Sequence, residues 1–384
     1  MIDFNFIKLY ENSFQENWNL PAFTNLNEAT TITYSQLAEK IAHLHILFEE
    51  MGIERDDKIA LIGYNHTAWS MVFMATITYG AVIVPILHDF HSDCIENIVS
   101  HADTKLVFID TNTIKSINRD NFTQPIITIP NWKIVNKRGS KTEKLKEVTN
   151  KKFAEKYPNG FKQSDIQYPH IHNDTVICLN YTSGTTGFIK GVMLTANNYA
   201  GNVMFAKSLN LLLRGESIVA FLPMAHAYGC TFDFLYALSV GVHIHLIGKR
   251  LSPSILFDAL QKVKPQLIIT VPLILERVYQ KNILPFVSKP IIQRMLKTPI
   301  LKKIVRRKIR KELSASFGGN FKEIIVGGAA MSKEAEAFLH KIGLPFTVGY
   351  GMTECAPLIS YDKHQDFTPT SCGKVLNGIM ELRI

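Results

Sequence analysis

The sequence predicts an α/β protein in which mostly parallel sheets, flanked by helices, form two related subdomains followed by the start of a smaller β-rich subdomain. Three observations carry this reading. Short apolar runs alternate with helix-length segments along most of the chain, the pattern of strand–helix–strand crossovers. The strand runs, such as IALIGY, AVIVP, TVICLNY and QLIITVP, are continuously apolar, as expected where helices cover both faces of a sheet. Turns rich in glycine, threonine or proline follow several of these strands, where ligands commonly sit in open α/β sheets.

An opening helix is followed by Thr33-Tyr34-Ser35-Gln36, a helix start, after which Leu37, Ile41, Leu44 and Phe48 recur at helical spacing until Gly52. The uncharged run from Ile59 to His88 reaches the length of a membrane span. Asn65, His66 and Thr67, then Gly80 and Pro85, divide it into a strand, a helix at about 67–79 and a second strand. The run from Ile218 to Gly248 parses the same way and carries Asp233 within its helix. No membrane span is expected. KLVFID, 105–110, is a further strand; residues 111–172 are polar and mixed in charge, with a surface helix near 143–157. From Asp174 the rhythm returns: strand TVICLNY, a helix near 196–212, strand SIVAFLP, a helix near 232–238 and strand VHIHLI. Then come helix SPSILFDALQKV, strand QLIITVP, helix ILERVYQKN, a basic region, and strands EIIVGG and FTVGY. The division places a first subdomain with its connecting segment at 1–172 and a second at 173–384.

Composition narrows the function. With 46% hydrophobic and 20% charged residues, the chain is not a disordered one. The five cysteines are widely spaced, odd in number and without a CxxC pair, so neither a disulfide framework nor a structural zinc site is expected. The N-terminus, MIDFNFIKLYENSF, lacks the basic-then-apolar pattern of a signal peptide, which favours a cytoplasmic location. The net charge of +9 is local. Ten of the 42 basic residues and no acidic one lie between Lys289 and Lys311; the other 32 basic residues face 33 acidic ones. This is not a diffusely basic nucleic-acid coat, and no nucleic-acid partner is expected. From Ile300 to Leu313 apolar residues recur at helical period beside the cations. Such an element either touches an anionic membrane peripherally, on its inner face, or packs on the domain with its basic side in water.

Four segments carry the chemistry. Tyr181 to Gly191 contains Thr182, Ser183, Gly184, Thr185, Thr186, Gly187 and Lys190 directly after a buried strand. Its glycines permit close backbone approach, and its hydroxyls, backbone N–H groups and lysine suit phosphate oxygens. It is neither a Walker A loop nor GxGxxG. Gly349-Tyr350-Gly351-Met352-Thr353-Glu354 follows another strand; a carboxylate facing a triphosphate there is a natural Mg²⁺ ligand, and Tyr350 can stack on a base. Pro223 to Gly229 contains His226, and Gly327-Gly328-Ala329-Ala330 can let a flat ring lie against the backbone.

In this order, the four segments resemble those of the adenylate-forming family of acyl-CoA synthetases, luciferases and peptide-synthetase adenylation domains. The resemblance covers essentially the whole chain and implies the fold of an acyl-CoA synthetase-like N-terminal domain. It assigns Ser183, Thr185, Thr186 and Lys190 to the phosphate loop, Tyr350 to adenine stacking, Thr353 to a phosphate contact and Glu354 to magnesium. Gly328 and Ala329 become the adenine-side wall, and His226 a positioning residue beside the acyl pocket. Ile189 stands where the family usually has proline, and GGAA where it often has GGAP; neither change removes a charged ligand. The implied substrates are ATP with Mg²⁺, a carboxylic acid and CoA. The region from Leu301 to Ser360 looks most like the long-chain fatty acyl-CoA ligases. The alternatives are a ligase for another carboxylic acid or for an acyl carrier protein, and a non-catalytic nucleotide-binding module. Family members continue past the segment matching Glu381 to Ile384 into a ribose-binding aspartate, a hinge and a small mobile domain with a catalytic lysine. The chain is therefore expected to be the large N-terminal portion of such an enzyme and poorly active alone.

Overall fold

The computed structural model describes residues 4–135, 142–183 and 189–383. Helix α1 (Phe6–Glu16) precedes the hairpin of β1 (Pro21–Asn25) and β2 (Thr30–Thr33). Helix α2 (Tyr34–Glu50) starts where the sequence signals it. The Thr33 hydroxyl accepts the Gln36 N–H, and the Thr33 N–H donates to Gln36 Oε1 at 3.0 Å, a reciprocal capping box. Then follow β3 (Lys58–Ile62), α3 (Thr67–Tyr79), β4 (Val82–Ile86), α4 (Ser92–His101), β5 (Thr104–Asp110), β6 (Ile126–Ile129), β7 (Lys133–Ile134), α5 (Thr142–Lys156), β8 (Val176–Ser183) and β9 (Ile189–Thr195). Seven of these strands form one sheet in the order β7-β6-β5-β3-β4-β8-β9. It is parallel from β6 to β8, with β7 and β9 antiparallel at its edges.

The remainder comprises α6 (Ala196–Ser208), β10 (Ser217–Ala220), a π-helix (Gly229–Tyr236) running into α7 (Ala237–Val240), β11 (His243–Leu246), α8 (Pro253–Val263), β12 (Leu267–Thr270) and α9 (Pro272–Val278). A second π-helical turn (Tyr279–Ile283) leads to α10 (Leu284–Val287), α11 (Pro290–Lys297) and α12 (Pro299–Ser316). The last elements are β13 (Glu323–Val326), α13 (Lys333–Lys341), β14 (Phe346–Val348), β15 (Tyr350–Gly351), β16 (Leu358–Tyr361) and β17 (Lys374–Val375). Strands β10-β11-β1-β2 make a second sheet, β12-β13-β14 a parallel third, and β15-β16-β17 a small antiparallel fourth. Gln266 links the second and third: Ser217 N–H donates to its Oε1 at 2.7 Å and its own N–H donates to Ser217 O at 3.0 Å. Strands from both sides of residue 172 share sheets, since β8 pairs with β4 and β1 with β11.

Helix α3 explains the first long uncharged run. It is apolar on all sides and buried from Thr67 to Thr78, as a helix enclosed by protein should be. Its 13 residues extend about 20 Å, short of the roughly 30 Å hydrocarbon layer. Among the described residues no helix is long and apolar enough to cross a membrane. Trp69 and Phe73 pack edge-on to Phe234, with centroids at 6.1 and 5.3 Å, joining α3 to the π-helix. That π-helix replaces the plain helix expected near 232–238. Its first residue is pressed against the chain leaving β10: a Cβ on Gly229 would lie 2.7 Å from Pro223 O, so only glycine fits. The expected helix of 274–282 likewise divides into α9 and a π-helical turn.

One buried carboxylate ties β13 to the small sheet. Glu323, 1% exposed, accepts the Tyr361 hydroxyl, the His364 N–H at 3.0 Å, and pairs with His364 Nδ1 at 2.6 Å. Glu323→Ala leaves these groups unpaired and is expected to destabilise the fold by about 3–5 kcal/mol, measured by chemical denaturation. A loss below about 1 kcal/mol would show that the cluster is solvated.

Candidate functional site

Strands β8, β10, β13 and β14 each run into one of the four segments distinguished by sequence, so each segment follows the carboxyl end of a strand that has a parallel neighbour. Gly184, Thr185, Thr186 and Gly187 of the first segment lie outside the described residues, as does the Ser183 side chain. The hairpin that carries them is described. Thr182 pairs with Lys190 across antiparallel β8 and β9, with Thr182 half-buried and Lys190 exposed. Strand β9 packs beside the single turn Thr353–Cys355, which sets the strand bearing Lys190 next to the turn bearing Glu354.

The other three segments are bound to one another by four side chains, of which Tyr228 alone lies within a motif. Asn202 of α6 holds both sides of the turn: its Nδ2 donates to Cys355 O at 2.8 Å, and its Oδ1 accepts Leu358 N–H at 2.9 Å. Thr231 of the π-helix donates to Ala356 O at 2.8 Å. Asn180 on β8 donates to Ala225 O at 3.1 Å, next to His226. Tyr228 donates to Ile325 O at 3.1 Å, and its ring lies 3.0 Å from where a Cβ on Gly327 would be. The sequence signal for these residues is weak: α6 carries other asparagines beside Asn202, and the π-helix carries Asp233 beside Thr231.

Exposure separates ligand-facing groups from scaffold. Gly328, Ala329, Ala330, Gly351 and Glu354 are exposed, Thr353 is half-buried, and Tyr350 is 52% exposed. Gly328 has φ +84°, the left-handed region that suits glycine. Gly351 is required for a different reason, since a Cβ there would sit 2.3 Å from Pro357 O. The surface thus offers an aromatic ring and a bare backbone ledge on neighbouring strand ends, beside a free carboxylate and a hydroxyl. Among the described residues no group of three or more His, Cys, Asp or Glu forms a metal cage. One exposed carboxylate suits Mg²⁺, which binds through one or two carboxylates together with substrate phosphates.

Two titratable groups flank this surface. His226 is exposed, but partial desolvation of its ring lowers its pKa, with Asp89 opposing the shift. The shift disfavours the protonated ring, which suits a positioning role. Asp233 lies 1% exposed in the π-helix with Oδ2 unpartnered; burial raises its pKa far above the carboxylate range, and a hydrogen bond from the Leu222 backbone only partly offsets this. Burial thus favours the protonated form of this carboxyl group.

An apolar cavity of about 460 Å³ opens beside the same segment. Leu222, Pro223, Leu256, Val271 and Ile274 line it between α8 and α9, and Arg277 and Lys281 also contribute. Phe221 and Pro223 also line a second crevice of about 470 Å³, to which Tyr64, His88, Asp89, Lys249 and Arg250 contribute polar groups.

The profile of a family described as AMP-binding enzyme matches residues 10–384. Among curated proteins, the human long-chain-fatty-acid–CoA ligase ACSBG2 is 24% identical over 86% of this chain and 53% of its own length. The chain spans about half the length of the first curated relatives it matches. Among solved structures, the inhibitor-bound N-terminal domain of FACL13 from Mycobacterium tuberculosis has a TM-score of 0.67 at 19% identity, covering 92% of this chain and 77% of that one. The anthranilate CoA ligase AuaEII, in complex with anthranoyl-AMP, has a TM-score of 0.75 at 16% identity, covering 98% and 64%. At these identities the structural likeness establishes the fold.

Proposed function

The chain belongs to the AMP-binding enzyme family, and from that premise we propose that it supplies the ATP site of a ligase that activates a long-chain fatty acid as acyl-AMP and transfers the acyl group to CoA. The acid's carboxylate attacks the α-phosphorus of ATP and expels pyrophosphate. The thiol of CoA then attacks the acyl carbon and AMP leaves. The substrate carboxylate is its own nucleophile, so the protein's task is to align the reactants and stabilise charge on the transferring phosphoryl group. Thr182, Ser183, Gly184, Thr185, Thr186, Gly187 and Lys190 would hold the phosphates. Thr353 would add a hydroxyl, and Glu354 would hold Mg²⁺, which neutralises phosphate charge when bound. Tyr350 would stack on adenine, with Gly328, Ala329, Ala330 and Gly351 as the backbone surface around it. His226 would orient the acid. Lys249 and Arg250 in the polar crevice supply charge suited to the phosphates of CoA.

The observation that carries the choice of a fatty acid is the apolar cavity beside Pro223, whose size falls in the usual range of ligand pockets, about 300–1,000 Å³. The relatives that are long-chain ligases support the same choice. A second reading, an aromatic acid, is supported by the similar folds of the anthranilate and benzoate CoA ligases. Ile274→Trp fills the cavity and separates the two. The fatty-acid reading expects acyl-AMP formation to shift by about tenfold or more towards shorter fatty acids, because shortening relieves overpacking of roughly 1–3 kcal/mol, with ATP KM unchanged. A folded variant with an unaltered chain-length profile would place the acid elsewhere; turnover of benzoate or anthranilate alone would favour the second reading.

A further inference from the structure

The basic run that accounts for the chain's net charge forms a surface with a defined geometry, and it plays no part in the proposed reaction. Helix α12 buries one seam, Val305, Ile309 and Leu313, against the core. At 100° per residue, the opposite side carries Ile300, Ile304, Arg307 and Lys311, flanked by Lys303, Lys308 and Arg310. Ile300 is 75% and Ile304 56% exposed, and with Pro299, Lys303 and Arg307 they line a shallow surface cleft. Helix α11 repeats the arrangement: Ile292, Met295 and Leu296 pack on the core while Ile291 is 71% exposed next to Arg294 and Lys297.

Apolar side chains projecting outward among these cations do not contribute to the core behind them. Among the described residues the run makes one ion pair, Lys308–Glu312 at 3.9 Å between exposed groups, which contributes little. A protein partner of ordinary composition would leave this charge unmatched. An anionic bilayer matches it over an extended plane and also accepts isoleucine at its headgroup boundary.

We propose that the outward face of α11 and α12 docks on the surface of an anionic lipid bilayer, with Ile291, Ile300 and Ile304 inserted and the flanking lysines and arginines on the headgroups. The interaction is peripheral and independent of ATP.

Sedimentation with vesicles tests it, comparing phosphatidylcholine alone with a mixture containing one-third phosphatidylserine. Binding is expected with the anionic vesicles and not the neutral ones, and is expected to fall as salt is raised. Each cation near such a surface contributes roughly fivefold in affinity, so Lys303→Gln/Arg307→Gln/Lys311→Gln should lose about a hundredfold while retaining ATP binding. In a separate variant, Ile304→Trp, fluorescence should be quenched by bromine-labelled lipid. Absence of binding to anionic vesicles would overturn the proposal, as would binding that survives the triple substitution with no Ile304→Trp quenching. Dimerisation through this face, or salt-sensitive RNA binding without vesicle binding, would also overturn it.

Discussion

Glu354→Gln is expected to slow acyl-AMP formation by roughly a hundred- to a thousandfold, the effect of removing one preorganised charge contact to a phosphoryl transition state. The substitution preserves shape and removes the charge that would hold Mg²⁺. The turn itself should persist, because its anchors are Asn202 and Thr231, bonded to the backbone at Cys355, Ala356 and Leu358. Two readouts distinguish a metal role from a structural one. Higher Mg²⁺ should recover part of the rate, since the phosphates still bind the ion, and metal-free nucleotide binding should be unchanged. A variant that adenylates at the original rate across a Mg²⁺ titration would remove Glu354 from the site.

Gly351→Ala should weaken ATP binding by about ten- to a hundredfold through backbone displacement alone. The added methyl would lie 2.3 Å from Pro357 O and 2.8 Å from Pro357 C. Both are backbone atoms, so neither can swing aside as a side chain end would. Relief requires β15 to move away from β16, carrying Tyr350 on one side and Thr353 and Glu354 on the other. Overpacking of this kind costs roughly 1–3 kcal/mol, and a shift of the stacking ring and the carboxylate together affects adenine and phosphates at once. Isothermal titration with ATP and Mg²⁺ measures it. Unchanged affinity in a folded variant would show that Tyr350 and Glu354 lie away from the nucleotide.

The fold class was legible in the sequence because its strands are short, continuously apolar and set off from the preceding helices by breakers such as Gly80 and Gly241; Pro85, read as another breaker, lies within β4. Helix α2 was legible to its first residue because a capping box is a local code. Long-range pairing was not. Nothing within residues 21–33 records that they will join β11, more than 200 residues later, since pairing depends on partners a local window does not contain. The π-helices were not legible either: Gly229 marks a close backbone approach, since a Cβ there would lie 2.7 Å from Pro223 O, but a glycine does not specify the helix type that follows it. In the site, the strand-end motifs named Gly328, Ala329, Tyr350 and Glu354, which are exposed. Of the residues that fix them in place, Asn180, Asn202 and Thr231 carry no motif, because any short polar side chain of suitable reach can tie two loops together.

The most direct test is pyrophosphate–ATP exchange by the protein as its gene encodes it, in Mg²⁺, with palmitate, benzoate or no acid added. The account predicts exchange that depends on palmitate and is lost in both Lys190→Ala and Glu354→Gln. No exchange with any acid, alongside measurable ATP binding, would contradict it and leave a nucleotide-binding module; so would exchange that both substitutions leave intact.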